Sequence, residues 1–266
     1  MKPREALPKI TLGLLLLVTL LVVYTNLASL AGIPYVPFMT PLVSLLAFAF
    51  AVLHAGQTMG WPKGLLLLAV TFSVSLLFES VGVATGWVYG GYHYTEKLGW
   101  KVLGLVPLLI PIAWFMMSYP SLVIALRIFP SGSSTWSWRL SVAAVGALVM
   151  TAWDVAMDPV MVAGGHWVWD QPGGFFGIPL LNYWGWWLTM FVAFLLFLWL
   201  GKVKPGELAY SGPGFPRLAV YSYAVIGLSS VIVAFQYGMD GQALAGFFAI
   251  IPWVIVASNH HYGLKS

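Results

Sequence analysis

The chain has 266 residues, of which 60% are hydrophobic and 8% charged, with 14 Trp, 16 Phe and 12 Tyr, a balance that no soluble domain of this size needs. Its formal charge of +4 is too small and too dispersed to attract nucleic acid. With no cysteine, a disulfide framework, a thiolate metal site and a cysteine nucleophile are excluded. Apolar stretches of about 20 residues recur from end to end, separated by short loops that hold nearly all the Lys and Arg, and this is the pattern of a polytopic helical membrane protein.

In chain order, transmembrane helices are predicted over residues 10–30, 38–57, 64–88, 103–127, 139–162, 183–201, 216–237 and 241–259. The fold class is therefore all-α, a bundle of about eight transmembrane helices forming one membrane domain over residues 1–266. Lys2, Arg4 and Lys9 precede an apolar run that ends near Ser29-Leu30-Ala31, which has the look of a signal-peptide cleavage site. That run continues for about 20 residues and further spans follow, so a retained first helix is expected. Pro107, Pro111 and Pro120 fall within the fourth span, and each removes a backbone donor, so this helix is expected to be kinked or broken.

The basic residues are distributed unequally between the loops. With the N-terminus inside, the cytoplasmic segments hold Lys2, Arg4, Lys9, Lys63, Arg127, Arg139, Lys202, Lys204, Arg217 and Lys265, against Lys97 and Lys101 outside. This bias predicts that both termini are cytoplasmic and that the loops at 89–102 and 163–182 share the outer side.

Three acids lie inside apolar spans: Glu79, Asp154 and Asp158. An ionised side chain at mid-membrane costs roughly 2.5–3.5 kcal/mol even on lenient scales, so such residues normally face a bundle interior and mark a pathway or a site. Glu79 and Asp154 each stand about 15 residues from the cytoplasmic start of their spans, which at 1.5 Å per residue puts both roughly 22 Å deep. Asp158 lies one turn nearer the outer surface, on the same face as Asp154. Ser75, Glu79, Gly82 and Gly86 form a small and polar stripe that permits close helix approach or leaves room for a ligand. The bland alternative is that the acids only staple helices through hydrogen bonds.

Two carboxyls one turn apart can share a proton, which supplies a general acid while a partner carboxylate acts as base. Aromatic faces can stabilise a developing cation, and Trp87, Trp114, Trp153, Trp167 and Trp169 are candidates, although most Trp in such a chain are interface or packing residues. The five histidines are His54, His93, His166, His260 and His261, which form no di-iron cluster; no metal is expected. His54, His260 and His261 lie toward the cytoplasmic end, where a surface or packing role is expected. His93 and His166 lie in outer loops above the acids and are retained as site residues.

Several blocks then carry a family resemblance. Glu79-Ser80-Val81-Gly82, Thr85-Gly86, Tyr89-Gly90-Gly91-Tyr92-His93-Tyr94 and the segment from Pro107 to Trp114 resemble the CruF-type carotenoid hydratases, an integral-membrane carotenoid biosynthesis family that includes bisanhydrobacterioruberin hydratase. Trp153-Asp154 with Asp158-Pro159, Trp167-Val168-Trp169, and Gly177-Ile178-Pro179 leading to Asn182-Tyr183-Trp184-Gly185-Trp186 are similar to the family's later blocks. The resemblance covers roughly residues 40–260.

It implies addition of water across the terminal double bond of an acyclic carotenoid end group, giving a tertiary alcohol, in the cytoplasmic membrane of a prokaryote. No cofactor is expected. The partners expected are the polyene and membrane lipid, with contact to other enzymes of the pathway as a further expectation. Asp154 and Asp158 are assigned as proton donor and Glu79 as the group that positions or deprotonates water, with exchange of these roles as the alternative. Tyr92, His93 and Asn182 are assigned to holding water, Trp114, Trp153 and His166 to the substrate or water site, and Asp170 and Glu96 to solvated loops. The basic balance favours a bacterial C40 pathway over an archaeal C50 one.

Two other classes are weighed against this reading. The Asp154 to Asp158 spacing matches an acidic pair of intramembrane prenyltransferases that holds magnesium and diphosphate, but the second acidic motif and a basic clamp are missing. A proton-coupled small-molecule transporter would also use intramembrane acids and broken helices, yet no inverted repeat is evident. The charge bias is tested by fusing alkaline phosphatase after His166, where it should be active, and after Lys204, where it should be inactive; the reverse pattern would overturn the orientation.

Overall fold

Where no water reaches the backbone, each spanning segment must satisfy its own N–H and C=O groups, and the apolar runs of this chain do so as helices. The computed structural model describes residues 3–34, 36, 38–131, 135–206 and 215–259. Among them are eight helices long and apolar enough to cross a membrane: α1 (Pro3–Leu30), α2 (Met39–Met59), α3 (Trp61–Thr85), α4 (Leu109–Ile128), α5 (Thr135–Ala163), α6 (Leu180–Leu200), α7 (Arg217–Gln236) and α8 (Asp240–Asn259). Lys2, His260, His261, Lys265 and the side chain of Arg4 lie outside the described residues.

Local backbone chemistry explains where the expected boundaries move. α3 starts at Trp61, three residues early, because Gly60 at φ +79° breaks the chain and Pro62 presets the first turn. It stops at Thr85 because Gly86 takes the left-handed conformation and its N–H caps the Gly82 carbonyl. Gly86 is thus a helix cap, not part of a face for a ligand. The expected helix from 103 fails for a similar reason. Leu103 and Gly104 are both left-handed (φ 52° and 71°), and they turn a hairpin between β2 (Lys101–Val102) and β3 (Val106–Pro107). Pro107 therefore lies in a strand, Pro111 falls in the first turn of α4 where no N–H is needed, and only Pro120 interrupts the helix interior.

α4 is the most enclosed helix and α1 the least. α5 packs against α4, α6, α7 and α8, α3 packs against α2, α4 and α6, and α1 leans on α2 and α7. At the end of the bundle away from residues 86–107, the Arg127 Nε donates to the Ala257 carbonyl at 2.6 Å and the Arg139 Nε to the Val203 carbonyl at 3.0 Å. His54 is buried there, its ring nitrogens in contact with the Tyr119 hydroxyl at 2.5 Å and the Phe215 carbonyl at 2.9 Å. These contacts fit a packing role for it.

Two loops at the opposite end join across the bundle. β1 (Tyr92–Tyr94), which follows α3, pairs antiparallel with β4 (Trp167–Trp169), which follows α5, in the register Tyr92 to Trp169 and Tyr94 to Trp167. This short pair roofs the space between α3, α4, α5 and α6.

The position of α5 depends on a close approach of α8, since a Cβ added at Gly246 would overlap the Cβ of Ala156. Gly246→Ala should therefore destabilise the detergent-solubilised protein by about 1–3 kcal/mol, read as a lower midpoint of thermal unfolding. An unchanged midpoint would show that the two helices separate at no cost.

Candidate functional site

Strand periodicity builds the roof of the site. Successive side chains of a strand point to opposite faces, so Tyr92 and Tyr94 turn inward while His93 between them turns out. On the paired strand Trp167 and Trp169 face the same interior and Val168 is exposed. The four inward rings pack on one another, with Tyr92 against Trp169 at 5.1 Å and Tyr94 against Trp167 at 5.9 Å between centroids. They line a cavity of about 750 Å³.

Tyr89 fixes the start of this roof. Its ring fills a slot between α3 and α6, where a Cβ at Gly82 or at Gly185 would come within 2.6 or 2.5 Å of it. Its hydroxyl bonds with the Thr189 hydroxyl at 2.7 Å. The small stripe on α3 that suggested room for a ligand is thus occupied at Gly82 by the protein's own ring.

Glu79, buried near the end of α3, receives three donors. Tyr92 and Tyr94 donate their hydroxyls to Oε2, the latter at 2.7 Å, and Trp114 donates its Nε1–H to Oε1 at 2.9 Å. Burial first, and then the charge of Glu79, push both phenols well above the ordinary tyrosine value, so they remain donors. An indole N–H can only donate. Glu79 is therefore held as an acceptor, an arrangement suited to a carboxylate.

Asp154 and Asp158 are joined differently. Asn182 places its amide nitrogen between them and donates to Asp154 Oδ2 at 2.7 Å and to Asp158 Oδ2 at 2.8 Å, while Trp167 donates to Asp158 Oδ1 at 2.8 Å. The two carboxyls expected to share a proton are thus joined through an amide bridge. Asp154 Oδ1 is buried without a hydrogen-bond partner, which leaves a place for a carboxyl proton. Asn182 belongs to the first turn of α6, starting after Pro179, and not to the loop where it was expected. Its amide nitrogen touches both acids, and the residue also lines the cavity.

Counted back from their helix ends, Glu79 stands six residues before Thr85, and Asp158 and Asp154 five and nine before Ala163. At 1.5 Å per residue these are depths of about 9, 8 and 14 Å, so Glu79 matches Asp158 more closely than Asp154. Glu79, Asp158 and Asn182 line the cavity; Asp154, fully buried, stands behind them. Trp114 and Trp153 line it too. Trp186, which sequence reasoning did not single out, stacks on Trp114 at 4.1 Å and meets Trp153 edge to face at 5.9 Å.

Two expected site residues are elsewhere. His93 is exposed, its Nδ1 3.2 Å from Asp170 Oδ1 on the outside of the roof, because it is the odd residue of a strand whose even residues face in. Trp87 is 80% exposed in the turn after α3 and cannot face a cation in the cavity. His166 does line the cavity, half-buried at its rim; burial and then the nearby Lys97 charge push its imidazole below the ordinary value, which keeps it neutral. Asp170 and Glu96 are exposed, Glu96 pairing with Lys101 at 2.7 Å. Tyr94 and Trp167, as donors to the acids, were missed. Their signal was the alternation in Tyr-His-Tyr and Trp-Val-Trp.

A family model described as "Carotenoid biosynthesis protein" matches residues 39–252, from the first residue of α2 to the interior of α8. Over 135 residues the chain is 38% identical to bisanhydrobacterioruberin hydratase of Haloarcula japonica, covering 50% of this chain and 44% of that protein, so the match spans less than half the relative's length. No solved structure matches. Because the family model runs over all the elements that build the acid cluster and most of the chain, the protein belongs to the carotenoid biosynthesis protein family.

Proposed function

We propose that the protein is a carotenoid hydratase, which adds water across the terminal double bond of an acyclic carotenoid end group. The observation that carries this reading is the meeting, in one cavity, of acids held by neutral donors with a wall of indole faces. The relative's name points the same way. Its source, Haloarcula japonica, runs against the C40 preference drawn from basic balance.

The chemistry proceeds in two transfers. The Asp154 and Asp158 pair, which reaches the cavity through Asp158, gives a proton to the less substituted alkene carbon, and the π pair forms the new C–H bond. The tertiary carbon becomes a cation, stabilised by Trp114, Trp186 and Trp153 at about 2 kcal/mol per contact when water is excluded. Water then forms the C–O bond and loses a proton to Glu79, whose phenol donors fix its orientation. Return of that proton to the aspartate pair closes the cycle, with net addition of one water and no electron transfer.

The same geometry argues against the magnesium reading. Asp154 Oδ2 and Asp158 Oδ2 both accept from the Asn182 amide, and a donor N–H lies between them where a bridging cation would have to sit.

Expression in a bacterial host that makes lycopene should yield a product heavier by one water, carrying a tertiary hydroxyl. Glu79→Gln, Asp154→Asn and Asp158→Asn should each lower turnover by at least about 100-fold while the protein still inserts and folds. Asn182→Leu should follow them, since it leaves both acids without their common donor. Near-normal turnover in all three acid variants would make the acids structural, and a cyclised product of unchanged mass would show that the polyene, not water, captures the cation.

A further inference from the structure

The roof carries a two-fold relation that the acids obey only in part. α3 and α5 each hold an acid a turn or two before the helix end, Glu79 and Asp158, and each is followed by a left-handed glycine, Gly86 or Gly165, and then by a strand. β1 and β4 pair antiparallel, so a two-fold axis through the pair carries the first inward residue of one strand onto the first of the other, Tyr92 onto Trp167. It carries the second onto the second, Tyr94 onto Trp169. The next helix completes each unit with one more donor, Trp114 of α4 for Glu79 and Asn182 of α6 for Asp158.

On the Glu79 side all three donors are engaged, Tyr92 and Tyr94 on Oε2 and Trp114 on Oε1. On the Asp158 side only two are, Trp167 on Oδ1 and Asn182 on Oδ2. The third is Trp169, which stands where the two-fold relation puts a donor to Asp158 and lines the cavity with it. Its Nε1 interacts with that carboxyl without the geometry of a hydrogen bond, and it is buried with no other partner. Buried N–H groups are rarely left unpaired, and an indole N–H can only donate. A carboxylate offers about four lone-pair sites, more than the protonated carboxyl, so loss of a proton makes room for a further donor.

We infer that Trp169 is a positioning residue for the proton transfer, its indole N–H held back for the charge that the aspartate pair acquires when a proton leaves through Asp158. This rests on the hydratase reading for the direction of that transfer. In an apolar site a carboxyl gives up its proton reluctantly, because its charged form is poorly solvated. A donor that engages only the charged form works against this: it lowers the energy of the state after transfer and leaves the state before it unchanged. The ring that carries the N–H packs against Tyr92 at 5.1 Å between centroids, which holds the indole in the roof beside the acid.

Trp169→Phe removes the N–H and keeps a ring against Tyr92. It should lower kcat for hydration of lycopene about 10- to 100-fold, the worth of one hydrogen bond to a charged group, with KM little changed. Trp169→Tyr, which adds back a hydroxyl donor of the kind Tyr94 supplies at the equivalent place, should recover part of that loss. Full kcat in Trp169→Phe, or a loss carried by KM alone, would overturn the inference, since a residue that only packs the roof or the polyene acts that way. A second measurement needs no turnover and keeps Trp169 in place. In detergent-solubilised protein whose tryptophans carry heavy nitrogen, the Trp169 indole resonance, identified by its loss in Trp169→Phe, should move downfield as pH rises and the pair ionises. It should stay in place in Asp158→Asn. Besides Asp154, the titratable groups Glu79, Tyr92, Tyr94, His166 and Lys97 line the same space and Tyr183 interacts with the pair; all of them remain in Asp158→Asn, so the comparison isolates Asp158. A resonance that behaves alike in the two proteins at every pH would overturn the inference whatever the activity. If wild-type protein hydrates nothing while the resonance moves in wild type alone, the hydratase reading fails and the donor to Asp158 stands.

Discussion

Three carboxyl groups buried in a membrane bundle must be compensated, and here the compensation comes from neutral donors. Tyr92, Tyr94 and Trp114 serve Glu79, Trp167 serves Asp158, and Asn182 serves both aspartates. A lysine or arginine in their place would quench the acids as ion pairs, whereas hydroxyl, indole and amide donors hold the carboxyls in position without an ion pair to any of the three among the described residues. Most of the surrounding structure can be derived from that requirement.

The donors come from segments far apart in sequence, and the fold exists in part to deliver them. Two come from β1, one from β4, one from α4 and one from α6. The β1 and β4 ladder forces alternate aromatic residues of two loops into one interior, and the slot between Gly82 and Gly185 clamps the Tyr89 ring that starts the first loop. A left-handed Gly86 releases the chain from α3 within a turn or two of Glu79 and allows β1 to turn back over it. A hydrophobic and aromatic wall suits the polyene proposed as substrate, and indole faces tolerate a transient positive charge that aliphatic side chains would not.

The sequence revealed the parts of this design that depend on transfer cost and period. Eight spans were legible because burying apolar runs in lipid is a property of each segment alone, and the acids stood out because charge in such a run is expensive. Pairings between loops were not legible. His93 and Tyr94 were equivalent as loop residues, and only the register with Val168 and Trp167 separates outward from inward. The start of α4 was misplaced because Leu103, an ordinary helix former, takes a left-handed conformation in a hairpin whose partner strand sets it. Asn182 was placed in a loop, although the Pro179 before it is a sound helix-start signal. Its role as a bridge depends on two acids in another helix and has no local code.

The proposed chemistry turns on one event, protonation of an alkene by the acid cluster followed by capture of the cation by water. Turnover in water labelled with both heavy oxygen and deuterium distinguishes it from every other route to the same alcohol. Hydration places one solvent oxygen at the tertiary carbon and one solvent hydrogen at its neighbour, with no dependence on oxygen gas. A hydroxyl oxygen derived from oxygen gas, or a product without solvent hydrogen at the neighbouring carbon, would contradict it.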